Sequence, residues 1–205
     1  MNIFFDLDGV LLDTERPALN IWRQYIPENK VISLWERCLG ISIEDEFHYF
    51  QSELGWTKKD YDEFLKNIKI IPQLKDGVLE VLDILKDYTL TLVTSSSQSS
   101  TNKKLEHCNL TSYFSHIITS DMVTFSKPNS QPYELAIQLT NDMQALVIED
   151  SPSGIISAYN AGLRNIIFCE DTIKCPRNLV DKVKIVIEDI KQIYPEVNFL
   201  KTNKN

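Results

Sequence analysis

Several polar side chains of this sequence stand directly after short apolar runs, in positions from which they could do chemistry. Asp6 and Asp8 follow the first run, and Glu149 and Asp150 follow the fourth. Carboxylate oxygens are the ligands that Mg²⁺ prefers in proteins, and a carboxylate can also attack an electrophile or transfer a proton. Each pair alone has a simpler interpretation, because acidic turns are common and acids stabilise helix N-termini.

The second and third apolar runs are followed by groups suited to an anionic ligand. Thr94, Ser95 and Ser96 offer hydroxyl and backbone N–H donors, which bind phosphate oxygens but also cap helices. Lys127 offers a cation, although a lysine before a proline is usually a surface loop residue. The four groups complement one another, because the acids could hold a metal ion and react while Thr94 and Lys127 hold a phosphoryl group.

The apolar runs predict the strands that would position these groups. They are continuous rather than alternating, which is typical of parallel strands covered on both faces. Helical patterns separate them, so the sequence predicts an α/β fold with a doubly wound, Rossmann-like parallel sheet. Ligands of such sheets bind at the carboxyl ends of the strands, where all four groups would meet. The predicted strands are 1–5, 89–94, 116–119, 145–148, 165–169 and 183–187, and the predicted helices are 78–86, 102–108, 132–139 and 154–160.

One stretch interrupts this alternation. Residues 14–74 contain no convincing buried strand, but they contain all three tryptophans and four helical patterns, at 19–25, 34–39, 43–54 and 61–68. We therefore predict an α-helical cap subdomain, residues 14–74, inserted into a core domain formed by 1–13 and 75–205. Within it, the helix around 44–50 is expected to present a solvated face over an apolar stripe. The polar tail 201–205 is expected to fray.

The composition narrows the possible partners. Twenty-one basic and 29 acidic residues give a formal net charge of −8, which argues against nucleic acid because binding phosphates needs a basic face. No run approaches the roughly 20 apolar residues of a membrane span. The four cysteines lack metal-site spacing, and the acidic N-terminus does not resemble a secretory signal. We therefore expect a cytoplasmic protein with neither nucleic-acid nor membrane partners.

Four motifs in the order of the chain resemble those of the haloacid dehalogenase-like hydrolase superfamily. They read DLDGVLLDTE at 6–15, TSS at 94–96, KP at 127–128 and VIEDSPSGIISAYNAG at 147–162. The first and last are similar to the branch that holds β-phosphoglucomutase and phosphoglycolate-type phosphatases. The resemblance also covers the helical insertion straight after the first motif.

The resemblance implies a role for each motif residue. Asp6 would be the nucleophile that forms an aspartyl-phosphate, and Asp8 would protonate the leaving alcohol and later deprotonate water. Thr94, with the backbone amides of Ser95 and Ser96, would hold the transferring oxygens, and Lys127 would neutralise charge and orient Asp6. The implied cofactor is Mg²⁺, and its implied ligands are Asp6, the carbonyl of Asp8 and Asp150, with Glu149 binding directly or through water.

The motifs leave the exact activity open. Asp8 favours phosphoryl transfer, because dehalogenases of the superfamily lack an acid there. A mutase of this branch carries a histidine where this chain has Ala18, and basic residues in the loop that here reads CLGISI at 38–43. We therefore predict a phosphatase of a small phosphorylated metabolite such as a sugar phosphate. The alternatives are a β-phosphoglucomutase-like mutase and a non-catalytic binding protein on the same fold. A monomer is expected, with an oligomer left open.

Overall fold

A single parallel sheet organises the chain. The computed structural model describes residues 2–202, without the side chains of 199–202, so Met1 and the last three residues of the predicted tail lie outside the described residues. Six strands lie side by side in the order β3-β2-β1-β4-β5-β6. The strands are β1 (Asn2–Phe5), β2 (Thr89–Val93), β3 (His116–Ile118), β4 (Leu146–Glu149), β5 (Asn165–Cys169) and β6 (Ile185–Ile187). The predicted α/β, doubly wound, Rossmann-like fold is confirmed.

Both faces of the sheet are buried, as the continuous apolar runs predicted. Ile3 and Phe5 of β1 belong to one hydrophobic cluster, together with Leu92. Phe4, which points the other way, belongs to a second cluster with Phe168. This division follows from the two-residue period of a strand. Because β1 lies between β2 and β4 in the sheet, its carboxyl end is the centre of the predicted site.

Four helices lie in the chain between β1 and the first helix that covers the sheet. Their bounds are α1 (Glu15–Tyr25), α2 (Glu28–Cys38), α3 (Ile43–Leu54) and α4 (Lys58–Asn67). They share a third hydrophobic cluster. In its centre the ring of Trp22 lies 4.9 Å from the ring of Trp35 and 4.9 Å from that of Phe50, both in edge-on contacts. The division of the chain into a core and a cap at 14–74 stays a prediction.

The remaining helices cover the sheet. They are α5 (Val78–Ile84), α6 (Gln98–His107), α7 (Gln131–Thr140), α8 (Pro152–Asn160) and α9 (Tyr194–Thr202). Helix α6 begins four residues before the predicted start, because the Ser97 side chain accepts a hydrogen bond from the Ser100 backbone N–H and caps it. Helix α9 was not predicted, and it includes Lys201 and Thr202 of the expected frayed tail. Within residues 2–202, no helix is long and apolar enough to cross a membrane.

Candidate active site

Lys127 and Asp6 form a buried ion pair at the carboxyl edge of the sheet. Lys127 is 1% exposed, and its Nζ donates to Asp6 Oδ1 at 2.6 Å, to Glu149 Oε1 at 2.5 Å and to the Val93 carbonyl at 2.8 Å. These three acceptors lie at the ends of three neighbouring strands, β1, β4 and β2. The structure therefore brings residues of the first, third and fourth motifs together at this edge.

Burial and the attraction between the two charges act in opposite directions on this pair. Burial raises the pKa of Asp6 to about 7, against the attraction of Lys127 and with the help of the neighbouring Glu149. Burial alone would lower the pKa of Lys127, but the carboxylates of Asp6 and Glu149 outweigh it and raise that pKa. Lys127 is therefore a fixed positive charge behind the Asp6 carboxylate.

Asp6, Glu149 and Asp150 form a group that could hold a metal ion. Each offers one carboxylate oxygen, and these oxygens lie within 4.8 Å of one another. Asp150 Oδ2 is buried without a hydrogen-bond partner among the described residues. Burial, and then the nearby acids Glu15 and Asp6, raise the pKa of Asp150 well above its usual range. A buried carboxylate oxygen that lacks any donor fits a cation.

Gly9 leaves the space that this arrangement needs. Its φ is +76°, and a Cβ built on it would lie 1.8 Å from Asp150 Oδ2. A side chain at position 9 would therefore collide with the Asp150 carboxylate, quite apart from the unfavourable backbone conformation. The glycine of the first motif thus lets the loop after β1 pass close to the end of β4.

Both carboxylate oxygens of Glu149 accept hydrogen bonds, unlike Asp150 Oδ2. Its Oε1 accepts from Lys127 and also from the Tyr133 hydroxyl at 2.6 Å, while its Oε2 accepts from the Ser151 hydroxyl at 3.1 Å. A Cβ on Gly154 would lie 2.0 Å from this carboxylate. Tyr133 is fully buried, and its role was not predicted from the sequence, where it resembles an ordinary core aromatic of an amphipathic helix.

Asp8 has its own set of partners. Its carboxylate accepts from Thr14 Oγ1 at 2.7 Å, from Ser96 Oγ at 3.0 Å and from Lys104 Nζ at 2.6 and 2.7 Å. Burial opposes the charged form, yet the Lys104 ion pair and these hydrogen bonds lower the pKa of Asp8. Lys104 was not predicted as a site residue, because in the sequence it is simply a lysine in the polar helix after the serine run.

The second motif lies beside Asp8. Thr94 is buried, and its Oγ1 accepts from the Ser96 backbone N–H at 3.1 Å. The Ser95 hydroxyl donates to the Gly40 carbonyl at 2.7 Å, and the Ser96 hydroxyl donates to Asp8. Both serine hydroxyls are therefore bound to protein groups. The predicted roles of Thr94, Ser95 and Ser96 toward a substrate stay predictions.

A cavity of about 250 Å³ connects these groups. Its lining includes residues of the first, second and fourth motifs and a wall from helices α1–α4, whereas Lys127 and Glu149 lie behind Asp6. A wider cleft of about 970 Å³ opens between α3 and the loop after β3, and its lining includes none of the predicted acids. The smaller cavity is thus the candidate active site. The predicted site residues that line it are Asp6, Asp8, Thr94, Ser95, Ser96 and Asp150.

Comparison with known proteins identifies the family. Residues 3–168 match the family described as haloacid dehalogenase-like hydrolase, which is well over half of the chain. The chain belongs to this family and is an enzyme of the hydrolase class, as the resemblance implied.

Individual relatives have low sequence identity to this chain. A phosphorylated carbohydrates phosphatase of Thermotoga maritima is 27% identical over 221 residues, covering 95% of this chain and 98% of that protein. A fructose-1-phosphate phosphatase of Escherichia coli K12 is 24% identical over 173 residues, covering 78% and 92%. A solved hydrolase structure from Pseudomonas syringae is 17% identical with a TM-score of 0.79, covering 98% and 99%, and it supports the fold alone.

Proposed function

We propose that the protein is a Mg²⁺-dependent phosphatase that hydrolyses a small phosphorylated metabolite, a sugar phosphate or a similar compound, through an aspartyl-phosphate on Asp6. The observation that carries the proposal is the placement of Asp6 in the cavity, with Lys127 bound behind it and the carboxylates of Glu149 and Asp150 beside it. The names of the two phosphatases similar to this chain support the same class of substrate. A cytoplasmic location and a monomeric state remain predictions.

The chain's own residues account for both halves of the reaction. In the first, an Asp6 oxygen bonds to phosphorus as the ester P–O bond breaks, and Asp8 gives a proton to the departing alcohol oxygen. In the second, Asp8 takes a proton from water, whose oxygen attacks the same phosphorus and releases inorganic phosphate and free Asp6. Lys127 offsets the repulsion between the Asp6 carboxylate and the anionic substrate.

The acids around Asp6 fit a divalent cation. Asp6, Asp150 and the Asp8 carbonyl would bind it, and the buried, unpartnered Asp150 Oδ2 is the strongest support for this assignment. Both Glu149 oxygens already accept hydrogen bonds, which favours binding through water for that residue. When bound, Mg²⁺ would supply charge neutralisation for the transferring phosphoryl group.

Residues 14–74 would act as a cap over the cavity. The two connections to the core run side by side, with a bridge between Leu12 and Leu74. Hydrogen bonds link the segment to the core, including Ser95 Oγ to the Gly40 carbonyl and Ser153 Oγ to the Leu39 carbonyl at 2.9 Å. A closed cap of this kind would exclude bulk water during the first step and open for release of the alcohol.

Phosphate release from a panel of phosphorylated metabolites, with and without Mg²⁺, tests the proposal. We expect hydrolysis that needs Mg²⁺ and disappears in Asp6→Asn. Asp8→Asn should retain phosphorylation of Asp6 better than turnover when the leaving group is good. Equal inertness of the wild type and Asp6→Asn would contradict the enzyme assignment, and absence of a phosphoenzyme in Asp8→Asn would contradict the division of roles.

The mutase alternative gains no support from the cavity. A sugar phosphomutase needs a second cationic phosphate site, and no Arg, Lys or His of residues 14–74 is among the residues that line the cavity. The same assay separates the two activities, because a phosphatase releases inorganic phosphate from a sugar 1-phosphate whereas a mutase yields its isomer.

A further inference from the structure

The wall of the active-site cavity opposite the catalytic acids is mostly apolar. It is formed by helices α1–α4 and the loops beside them, and includes Ala18, Trp22, Leu39, Ile41 and Leu65. The charged lining residues that this part of the chain contributes are Glu15 and Glu46, and both are acidic. Among the described residues of the lining, Lys104 is the one cation, and Asp8 binds it.

Glu46 is held firmly in this wall. Its Oε1 accepts a hydrogen bond from the Tyr61 hydroxyl at 2.7 Å, and the Tyr61 side chain is fully buried. The Tyr61 ring packs 5.0 Å from the Phe50 ring, so the hydroxyl has little freedom to move away. Among the described residues, Tyr61 is the one hydrogen-bond partner of the Glu46 carboxylate, and it leaves the second carboxylate oxygen free for a ligand.

We propose that Glu46 is the specificity-determining residue for the leaving group. It accepts a hydrogen bond from a hydroxyl of a neutral alcohol and disfavours substrates that carry a second anionic group. The proposal rests on the phosphatase assignment above, and it narrows the substrate class to monophosphates of small, uncharged, hydroxylated compounds.

The distribution of charged groups in the cavity supports this role of Glu46. Lys127 and the acids that could hold a cation serve the phosphoryl group under attack, and Lys104, the one remaining cation among the described lining residues, is already bound to Asp8. A second phosphate would have to give up its water against an apolar wall and lie near the Glu46 carboxylate. A hydroxyl in the same place would find an acceptor. The volume of about 250 Å³ also favours a small leaving group.

The test compares a hexose 1-phosphate with its 1,6-bisphosphate, using kcat/KM with Mg²⁺ present. Burial raises the pKa of Glu46 to about 7, so the assay is run at about pH 8 to keep this carboxylate ionised. We expect the wild type to prefer the monophosphate by about 100-fold, and Glu46→Gln to reduce that preference about tenfold, mainly through a lower KM for the bisphosphate. The matched control is Glu44→Gln, an exposed acid of the same helix that does not line this cavity.

A second variant tests the hydrogen bond itself. Glu46→Ala should raise KM for the hexose phosphate about tenfold, while KM for p-nitrophenyl phosphate, whose leaving group has no comparable hydroxyl, should change little. An unchanged substrate preference in Glu46→Gln, or equal KM changes for both substrates in Glu46→Ala, would overturn the assignment of Glu46. Thermal unfolding of each variant checks that the fold is intact.

The role of Glu46 and the phosphatase activity itself can be tested separately. If the wild type hydrolyses monophosphates but Glu46→Gln keeps the full preference, only the role of Glu46 is wrong. If no phosphomonoester is hydrolysed, the phosphatase assignment fails. Calorimetric binding of the same two ligands to Asp6→Asn still tests the cavity, and equal affinity for both would overturn the proposal.

Discussion

Lys104 Nζ lies 2.6 and 2.7 Å from the two carboxylate oxygens of Asp8, although 96 positions separate the two residues in the chain. The ion pair lowers the pKa of Asp8 against the effect of burial. Asp8 therefore rests as a carboxylate, which is the form needed to take a proton from water. For the proposed first step, Asp8 must carry a proton, so the contact with Lys104 has to loosen when a substrate is bound.

Lys104→Met should lower kcat about tenfold or more, because Asp8 loses the partner that fixes its position. The loss should be larger for a sugar phosphate than for p-nitrophenyl phosphate, whose leaving group needs little help from an acid. Steady-state kinetics with both substrates measure this difference. Lys104→Arg should recover part of kcat, and Lys103→Met, at the exposed neighbouring position, should behave like the wild type. A uniform loss on both substrates would point to general disruption instead.

The difference between Lys127 and Lys104 shows what the sequence could predict. Lys127 follows a strand, and the carboxyl ends of parallel strands share one edge, so its meeting with Asp6 and Glu149 followed from topology. Lys104 lies inside a helix of mostly polar residues whose predicted start was four residues late. The direction in which a helical side chain points depends on where the helix begins and how it packs, and neither is visible in a local pattern.

Glu46 illustrates the same limit within residues 14–74. The helical period placed α3 correctly, from Ile43 to Leu54, and Glu44 is exposed as the predicted solvated face requires. The expectation was wrong for Glu46, which is half-buried and turned toward Tyr61 and the cavity. The hydrogen bond comes from another helix, so the period of α3 alone could not reveal it.

Tyr133→Phe should lower the free energy of unfolding by about 1–3 kcal/mol, because it removes a buried hydrogen bond to a charged carboxylate. Lys127 and Ser151 remain to hold Glu149, so the variant should fold. Urea denaturation measures the change. Tyr159→Phe is the control, since within the described residues the Tyr159 hydroxyl has no hydrogen-bond partner, and it should alter stability by less than about 0.5 kcal/mol. Equal effects of the two substitutions would show that the Tyr133 hydroxyl does not hold Glu149.

Gly154→Ala should reduce both stability and activity. The added Cβ would lie 2.0 Å from the Glu149 carboxylate, so that carboxylate must move and Lys127 with it. We expect a loss of about 2–4 kcal/mol in unfolding free energy and a large fall in kcat. Gly55→Ala provides a contrast, because its Cβ would meet nothing within 4 Å although φ is +69°. That variant should lose about 1 kcal/mol from backbone strain and keep its kcat. Normal turnover in Gly154→Ala would refute the claim that Glu149 must stay in place.

The acids of the site should make stability fall as pH rises, and a divalent cation should oppose this loss. Burial raises the pKa of Asp6 from 3.8 to about 7 and that of Asp150 in the same direction. The folded protein therefore binds protons more tightly than the unfolded chain. Without a cation, the free energy of unfolding should fall as pH rises from about 4 to 7, by on the order of 1 kcal/mol per pH unit for each such carboxylate.

Mg²⁺ competes with those protons, so its stabilising effect should grow as pH rises through about 7. At about 100 times its Kd, the cation should add about 2.7 kcal/mol to the free energy of unfolding. Thermal unfolding with and without Mg²⁺, at about pH 5.5 and pH 8, measures the effect. Asp150→Asn should abolish the stabilisation by Mg²⁺. Asp87→Asn, which neutralises an exposed acid that is not part of the site, should retain it. Equal stabilisation by Mg²⁺ at both pH values, or in Asp150→Asn, would mean that the cation binds elsewhere, because binding to Asp6 and Asp150 requires these carboxylates to lose their protons.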